Sequence, residues 1–515
     1  MSNRRNIIKA AGVVSVATFA MYAVSFLREA VIGFRFGVSA DLDALLVAYA
    51  VPMFLASTLS SVLQGVIIPL YLEIVDPLLR HEFLNKVYTF LVGILGGLMF
   101  FLVVSTPWLV GIVGNGLGAS QQNLTIKLIW VMVLFVPGYA LSGFSATLLF
   151  AERVFWWPSV LPAVASAVTI VCVWLGGARW GVYSLAVGIT LGAATQLVFA
   201  QWILARHGIR LHLVRDWQDA RLRKLVQLSL PLFIGSLSTG LTVLIDRGMA
   251  SFLPVGSISA LGYAEKINGM AVMALGSLQT AVFPFFAEQA GAGNKDQLAT
   301  DFVQTITLII FILAPVSLLM IFFNRPLVEF LFQRGAFDAA ASARTSKALV
   351  GFAIGLVPVG IGFICVRMAQ AVQSGKLIGF VGLLNPIFKV LFNLVLIPIF
   401  GVLGVSLATT GMYTVGAAIL LAGLARIVKE KIITPATFVP IAKMGVALLA
   451  MGGALWILER WFHFSDGNQL IVLGSILFNM FVGVSVYAIV CFLLGLEEMR
   501  RIIEVTGKVF LWSTK

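Results

Sequence analysis

Charged side chains occur inside or at the edges of long apolar segments of this sequence. Eight of them form the candidate site: Arg28, Glu29, Asp43, Asp246, Arg247, Glu265, Lys266 and Lys389. An Arg or Lys at the centre of a bilayer costs roughly 2.5–3.5 kcal/mol even on a lenient insertion scale. The sequence therefore predicts a hydrated space inside a membrane protein, where these cations pair with acids or bind an anionic ligand.

Neighbouring acids and bases recur along the chain. Three such pairs are present: Arg28-Glu29, Asp246-Arg247 and Glu265-Lys266. A ligand phosphate can replace the acid in such a pair, because Arg binds phosphate through two parallel N–H donors and Lys binds it as a point charge. We therefore predict that Arg28, Arg247 and Lys266 contact a pyrophosphate group, with Glu29, Asp43, Asp246 and Glu265 as the acids of the same cavity. The alternative for Arg28 is that it snorkels to the outer interface and pairs locally.

Lys389 lies in the middle of an apolar run, with Asn385 and Asn393 four residues to either side. Positions four residues apart share one face of a helix, so the three residues form a polar stripe. We predict Lys389 as a fourth contact of the anionic ligand. Packing inside the protein is the competing interpretation.

The composition defines the class of protein. Of 515 residues, 60% are hydrophobic and 11% are charged, and the mean hydropathy is +1.01, which is typical of a polytopic all-α membrane protein. We count about 14 apolar runs that are long enough to cross the bilayer. If both termini are cytoplasmic, 22 of the 35 Lys and Arg residues face the cytoplasm and 7 face outward. The net charge of +13 then follows the positive-inside rule and does not indicate nucleic-acid binding.

Spacing within the chain indicates an internal repeat. Arg28 precedes Gly37 by nine residues, and Arg247 precedes Gly256 by nine. The pattern Q-x4-P-x3-E then follows twice, beginning at Gln64 and at Gln279. Helices one and two therefore correspond to helices seven and eight, which predicts two parallel, pseudo-symmetric six-helix lobes followed by two additional helices.

The predicted domains follow from this repeat. They are an N-terminal lobe at 1–205, a cytoplasmic basic linker at 206–224, a second lobe at 225–425, and two helices with a cytoplasmic tail at 426–515. The linker alternates Arg residues with apolar ones. It is either an interfacial segment that rests on anionic lipid or a charged loop that only sets the topology.

Motifs of catalysis, nucleotide binding and metal ligation are absent from the sequence. We therefore expect a protein that is not an enzyme and needs no cofactor or metal. Any transport would draw on the membrane potential, a monovalent cation or the substrate gradient.

Several motifs resemble one family in their order along the chain. They are Ser25–Glu29 with Phe36-Gly37 and Asp43-Ala44, Ala250–Leu253 with Gly256-Ser257, Tyr263–Lys266, and Leu331–Phe337. Together they resemble MurJ (MviN) proteins, which are flippases of lipid-linked cell-wall precursors. The resemblance covers almost the full length.

This resemblance implies a V-shaped, two-lobed fold of the multidrug/oligosaccharidyl-lipid/polysaccharide (MOP) exporter superfamily in the bacterial inner membrane. It implies alternating access that moves an undecaprenyl-pyrophosphate-linked glycan outward, with membrane lipids and cell-wall or polysaccharide synthesis proteins as partners. The family's cavity cations match Arg28 and, as a Lys, Lys266, and nearby acids match Asp43 and Glu265. Tyr22 and Ala56 stand where the lipid II flippases have further arginines. Both lipid II and an exopolysaccharide repeat unit on the same carrier are therefore open as substrates.

Two other functions compete with this interpretation. A cation-coupled multidrug antiporter of the same superfamily predicts an acidic cavity and twelve helices. A membrane glycan ligase or polymerase, from a different class, needs large outer loops with catalytic groups, and the longest outer segment here is about 324–344. The basic embedded sites and the short loops favour the flippase.

Overall fold

The computed structural model describes residues 20–154, 156–215, 219–428, 435–461 and 469–500, and over these ranges it contains helices and no strand. Helix α1 is described from 20 to 36. The helices that follow are α2 Ala40–Glu73, α3 Pro77–Val113, α4 Ala119–Met132, α5 Phe135–Ala151, α6 Trp156–Trp180, α7 Val182–Arg206, α8 Ala220–Ala250, α9 Ser257–Gly291, α10 Lys295–Phe322, α11 Asn324–Phe332, α12 Ala339–Ile354, α13 Leu356–Ala371, α14 Gly375–Phe400, α15 Val402–Val428, α16 Pro435–Trp461 and α17 Gln469–Leu493.

The predicted all-α membrane class is confirmed. Nine helices in the described part of the chain are long and apolar enough to cross a membrane. Three bent pairs raise the number to twelve: α4 with α5 at 42°, the two halves of α8 at 40°, and α12 with α13 at 42°. Helix α1, as described from 20 to 36, and helix α9 are not among these. The count of fourteen therefore stays a prediction, and the predicted cytoplasmic termini lie outside the described residues.

The order of elements repeats along the chain. A bent pair is followed by two helices joined at a glycine with positive φ, first through α4 to α7 and again through α12 to α15. The two glycines are Gly181, with φ of 52°, and Gly401, with φ of 58°. A left-handed backbone is accessible to glycine without steric cost, which allows the tight reversal between the helices. This recurrence agrees with the repeat that the sequence motifs indicate.

By packing, the chain divides into two compact units. The first contains Met1–Ser259 and Phe332–Ala341, and the second contains Ala260–Leu331 and Ser342–Lys515. In the first unit, α2 packs against α4, α5 and α8, and α7 packs against α5 and α6. Helix α8 thus packs in the first unit, whereas the sequence repeat groups it with the second lobe. The lobe boundaries at 205 and 225 stay a prediction.

In the second unit, α13 packs against α10 and α15, and α14 packs against α15. Helices α16 and α17 pack together and against α10. Their shared core contains Phe311, Met451 and Tyr487, and the Tyr487 hydroxyl donates to the Phe311 carbonyl oxygen over 3.2 Å. The last two helices are therefore fastened to the second unit by a buried apolar cluster.

Candidate functional site

Arg28 and Glu29 form an ion pair on α1. Arg28 Nη2 donates to Glu29 Oε1 over 2.6 Å, and the two side chains are 26% and 13% exposed. Adjacent residues of a helix point in different directions, so the long Arg28 side chain bends back to reach its neighbour. Its buried Nε has no hydrogen-bond partner among the described residues. Buried donors without a partner are uncommon in folded proteins, so Arg28 is a candidate contact for a ligand.

Aromatic side chains of α2 and α5 lie beside this pair. Tyr49 of α2 lies near both Arg28 and Glu29. The Tyr49 ring lies 5.3 Å from that of Phe135, which in turn lies 5.4 Å from that of Tyr139. These ring contacts pack α5 against α2 at Tyr49.

Asp43 occupies a different environment on the same unit. Its two carboxylate oxygens accept hydrogen bonds from the backbone N–H groups of Gly256, over 2.6 Å, and Ser259, over 2.7 Å. These groups belong to the first turn of α9 and the residue before it, where a helix has unpaired N–H donors and a positive dipole. Asp43 is 3% exposed. The carboxylate therefore acts as a cap that α2 supplies to the start of α9.

Asp246 and Arg247 lie near the end of α8 and are buried, at 8% and 7% exposure. Arg247 Nη1 donates to the carbonyl oxygen of Ile258 over 3.1 Å. Arg247 is also near enough to Asp43 for an attractive charge interaction. Arg247 thus contacts the same turn, 256–259, that Asp43 caps.

Two candidate residues lie on α9 in the second unit. Glu265 is half-buried and Lys266 is exposed, and each has interactions with other residues. Because Lys266 is exposed, its ammonium can contact a ligand without any change in the packing of the protein interior.

Lys389 lies on α14 and is 0% exposed. Its ammonium donates to the Thr409 hydroxyl and, over 3.5 Å, to the Val405 carbonyl oxygen, both on α15. Of the predicted polar stripe, Asn393 is also fully buried. Lys389 therefore joins α14 to α15 through neutral oxygens.

The structure brings Asp43 and Arg247 together around one turn, and it pairs Arg28 with Glu29. Sequence reasoning did not find Tyr49, Ser259 or Thr409 as partners of these charges. Part of the contact between Asp43 and Ser259 is made by the backbone N–H, which every residue except proline carries. Thr409 follows Lys389 by twenty residues, and only the rotation of two helices about their axes makes them meet.

The described residues form a multi-pass α-helical fold that is shared with two solved structures. A structure described as the inward-facing conformation of a multidrug resistance MATE family transporter of the MOP superfamily gives a TM-score of 0.68 at 16% identity, over 80% of this chain and 98% of the other. A structure of lipid II flippase MurJ in an inward closed conformation gives a TM-score of 0.79 at 21% identity, over 93% of this chain and 99% of the other.

The sequence comparisons define the family. The profile of the family described as lipid II flippase MurJ matches residues 33–474. A Vibrio cholerae protein named probable lipid II flippase MurJ is 22% identical over 528 aligned positions, which cover 97% of this chain and 99% of that protein. The chain belongs to the MurJ family, as the motifs predict, and it is a multi-pass protein of the bacterial inner membrane.

Proposed function

We propose that this protein is a flippase that moves an undecaprenyl-pyrophosphate-linked glycan across the inner membrane by alternating access. The observation that carries the proposal is the state of Arg28 in a chain of this family. The guanidinium is partly exposed, donates one N–H to Glu29, and keeps Nε without a partner among the described residues. Such a group can bind two phosphate oxygens in place of one carboxylate oxygen.

In this proposal, the pyrophosphate displaces Glu29 from Arg28 and receives two parallel N–H donors. Lys266, which is exposed on α9, is the second cation that contacts the substrate. Arg247 and Lys389 are buried and donate to protein oxygens, so they hold helices and contact the substrate weakly or not at all. Asp43, Asp246 and Glu265 set the position of the neighbouring backbone and cations.

The transported lipid keeps its covalent bonds, so the proposed action needs no catalytic group and the protein is not an enzyme. Energy is drawn from the membrane potential or from a monovalent cation, because a charged headgroup that crosses the field exchanges about 2.3 kcal/mol per charge per 100 mV. Proteins of cell-wall or polysaccharide synthesis would supply the substrate and consume it.

Lipid II is the first substrate to test, since the relatives carry the name probable lipid II flippase. An exopolysaccharide repeat unit on the same carrier is the second. The specific observation in its favour is that Ala56 is 0% exposed, so that this position offers no space for a further cavity cation.

The test is the flipping of labelled lipid II in proteoliposomes by the wild-type protein and by the Arg28→Ala and Arg28→Lys variants. Loss of a charge-assisted hydrogen bond to phosphate weakens binding by about 1.5–3 kcal/mol, or roughly 10- to 100-fold. We expect Arg28→Ala to lower the rate by that factor and Arg28→Lys to recover part of it. Arg35→Ala is the matched control, because Arg35 is exposed on the same helix. Flipping that Arg28→Ala leaves undiminished would refute the proposal.

A further inference from the structure

The basic linker after α7 has a defined path. Helix α7 ends at Arg206, and Gly208, with φ of 84°, turns the chain out of the helix. The residues from 209 to 215 are not helical, and Ile209, at 4% exposure, anchors the start of this stretch in the protein. We define residues 206–215 as the linker clip.

The clip is fastened to one face of α3. Three contacts join them: the His81 ring to the Gly208 carbonyl oxygen at 3.1 Å, His212 N–H to Asn85 Oδ1 at 2.9 Å, and Val214 N–H to Thr89 Oγ1 at 2.9 Å. The three α3 residues are spaced four apart and so lie along one face of the helix. A loop that only sets topology does not need such a row of side-chain partners for its backbone.

The chain is fixed again where α8 begins. Asp219 caps α8 by accepting from the Arg221 N–H over 2.8 Å, and its second oxygen pairs with Lys86 of α3 at 3.4 Å. Lys86 also pairs with Glu82 at 2.8 Å. Both ends of the linker are therefore held on α3, which restricts the positions that its cations can take.

The exposed side of the linker clip carries both basic and apolar side chains. Arg206, Arg210 and Arg215 are exposed, and Leu213 is 63% exposed between the last two. The Arg206 guanidinium lies 3.8 Å from the centre of the Trp202 ring, which is itself exposed. Neither Arg210 nor Arg215 has an acidic partner in the part of the chain that the structure describes.

We propose that the linker clip binds the phosphate headgroups of anionic phospholipids at the predicted cytoplasmic face. Arginines next to an exposed tryptophan and leucine match the boundary between headgroups and acyl chains. A soluble anion would gain nothing from contact with Leu213, because this exposed side chain is apolar. Each arginine near an anionic surface is expected to improve binding about fivefold, and the attachment to α3 lowers the entropy lost on binding.

The test uses the full chain with its three cysteines replaced by alanine and a Leu213→Cys substitution that carries a fluorescent label. The protein is reconstituted in phosphatidylcholine vesicles with brominated phosphatidylglycerol or brominated phosphatidylcholine as the quencher. We expect phosphatidylglycerol to quench more strongly, and added salt to reduce the difference because exposed charges are screened. Equal quenching by the two lipids would overturn the proposal.

Two sets of variants separate charge from geometry. The double variant Arg210→Ala/Arg215→Ala should lower the preference for phosphatidylglycerol by up to about 25-fold. The control is the double variant Lys127→Ala/Arg179→Ala, whose residues are exposed on α4 and α6, and it should leave the preference unchanged. Asn85→Ala with Thr89→Ala keeps every charge but removes two attachments, and it should lower the preference in part. An unchanged preference in the arginine variant refutes lipid binding, and an unchanged preference in the α3 variant refutes the fixed geometry. Arg210→Lys with Arg215→Lys should retain most of the preference, which identifies any effect of misfolding.

Discussion

Asp43 of α2 and Ser259 of α9 are 216 residues apart in the chain and are joined by a hydrogen bond of 2.7 Å. The second Asp43 oxygen accepts from Gly256 N–H at 2.6 Å, so one buried carboxylate satisfies two backbone donors where α9 starts. Because charge-assisted hydrogen bonds at a helix N-terminus are strong, this contact is a main constraint on the turn 256–259.

The first prediction concerns this cap. Asp43→Ala leaves two buried N–H donors unmet, and each unsatisfied group costs about 1–3 kcal/mol. We expect a lower midpoint of thermal unfolding in detergent for Asp43→Ala and a smaller decrease for Asp43→Asn, which keeps one acceptor. Asp41→Asn, which is exposed in the same helical turn, should change the midpoint little. Equal stability of Asp43→Ala and the wild type would contradict the assignment.

The second prediction concerns the competition between Glu29 and the ligand for Arg28. Glu29→Gln removes the carboxylate charge that holds Arg28 Nη2 at 2.6 Å. We expect undecaprenyl pyrophosphate to bind roughly fivefold more tightly to this variant, since the loss of a partly exposed ion pair is worth about 1 kcal/mol. Titration calorimetry measures the dissociation constant, with Arg28→Ala as the variant that should bind roughly 10- to 100-fold more weakly than the wild type. Weaker binding by Glu29→Gln would mean that Glu29 orients Arg28 for the ligand and does not compete with it.

The third prediction separates Lys389 from the substrate. Burial of a charge beside neutral oxygens is costly, and Met has a similar length without the charge, so Lys389→Met should keep the unfolding midpoint within a few degrees or raise it. Lys389→Ala leaves a cavity and should destabilise the protein by about 2–3 kcal/mol. Neither variant should change the dissociation constant for undecaprenyl pyrophosphate. A large loss of affinity in Lys389→Met would restore Lys389 as a ligand contact.

The fourth prediction concerns the segment Phe332–Ala341, which packs in the first unit against the end of α1. A Cβ on Gly37 would lie under 3.0 Å from the backbone of Ala336, and the φ of Gly37 is 56°. The Ala336 N–H donates to the Phe34 carbonyl oxygen over 2.8 Å in the same contact. Gly37→Ala is expected to destabilise the protein by about 3 kcal/mol or more and to lower its level in the membrane.

The control for this change is Gly97→Ala. Gly97 lies inside α3, and no atom of a neighbouring element lies within 4 Å of the position that its Cβ would take. An alanine there should therefore be neutral or slightly stabilising. Immunoblots of membrane fractions and unfolding midpoints compare the two variants. A Gly37→Ala protein as stable as Gly97→Ala would show that the loop can move away from α1 at little cost.

Part of the candidate site can be predicted from the sequence. The pairing of Arg28 with Glu29 can be predicted because the two residues are neighbours in the chain. The assignment of Arg247 as a ligand contact stays a prediction, but its donation to the Ile258 carbonyl oxygen favours a structural role. Sequence spacing cannot distinguish these roles, because it gives the face of a helix and not what the face meets.

The sequence by itself determined the class and the family, and it predicts the repeat. The chain has 60% hydrophobic residues and long apolar runs, and such runs satisfy their backbone hydrogen bonds in lipid by forming helices. Local motifs identify the family. Only the tertiary structure decided which charged side chains form hydrogen bonds inside the protein. Asp43 reaches Ser259, and Lys389 reaches Thr409, through the rotation and packing of separate helices. These contacts depend on the summed packing of many side chains, which no short stretch of sequence encodes.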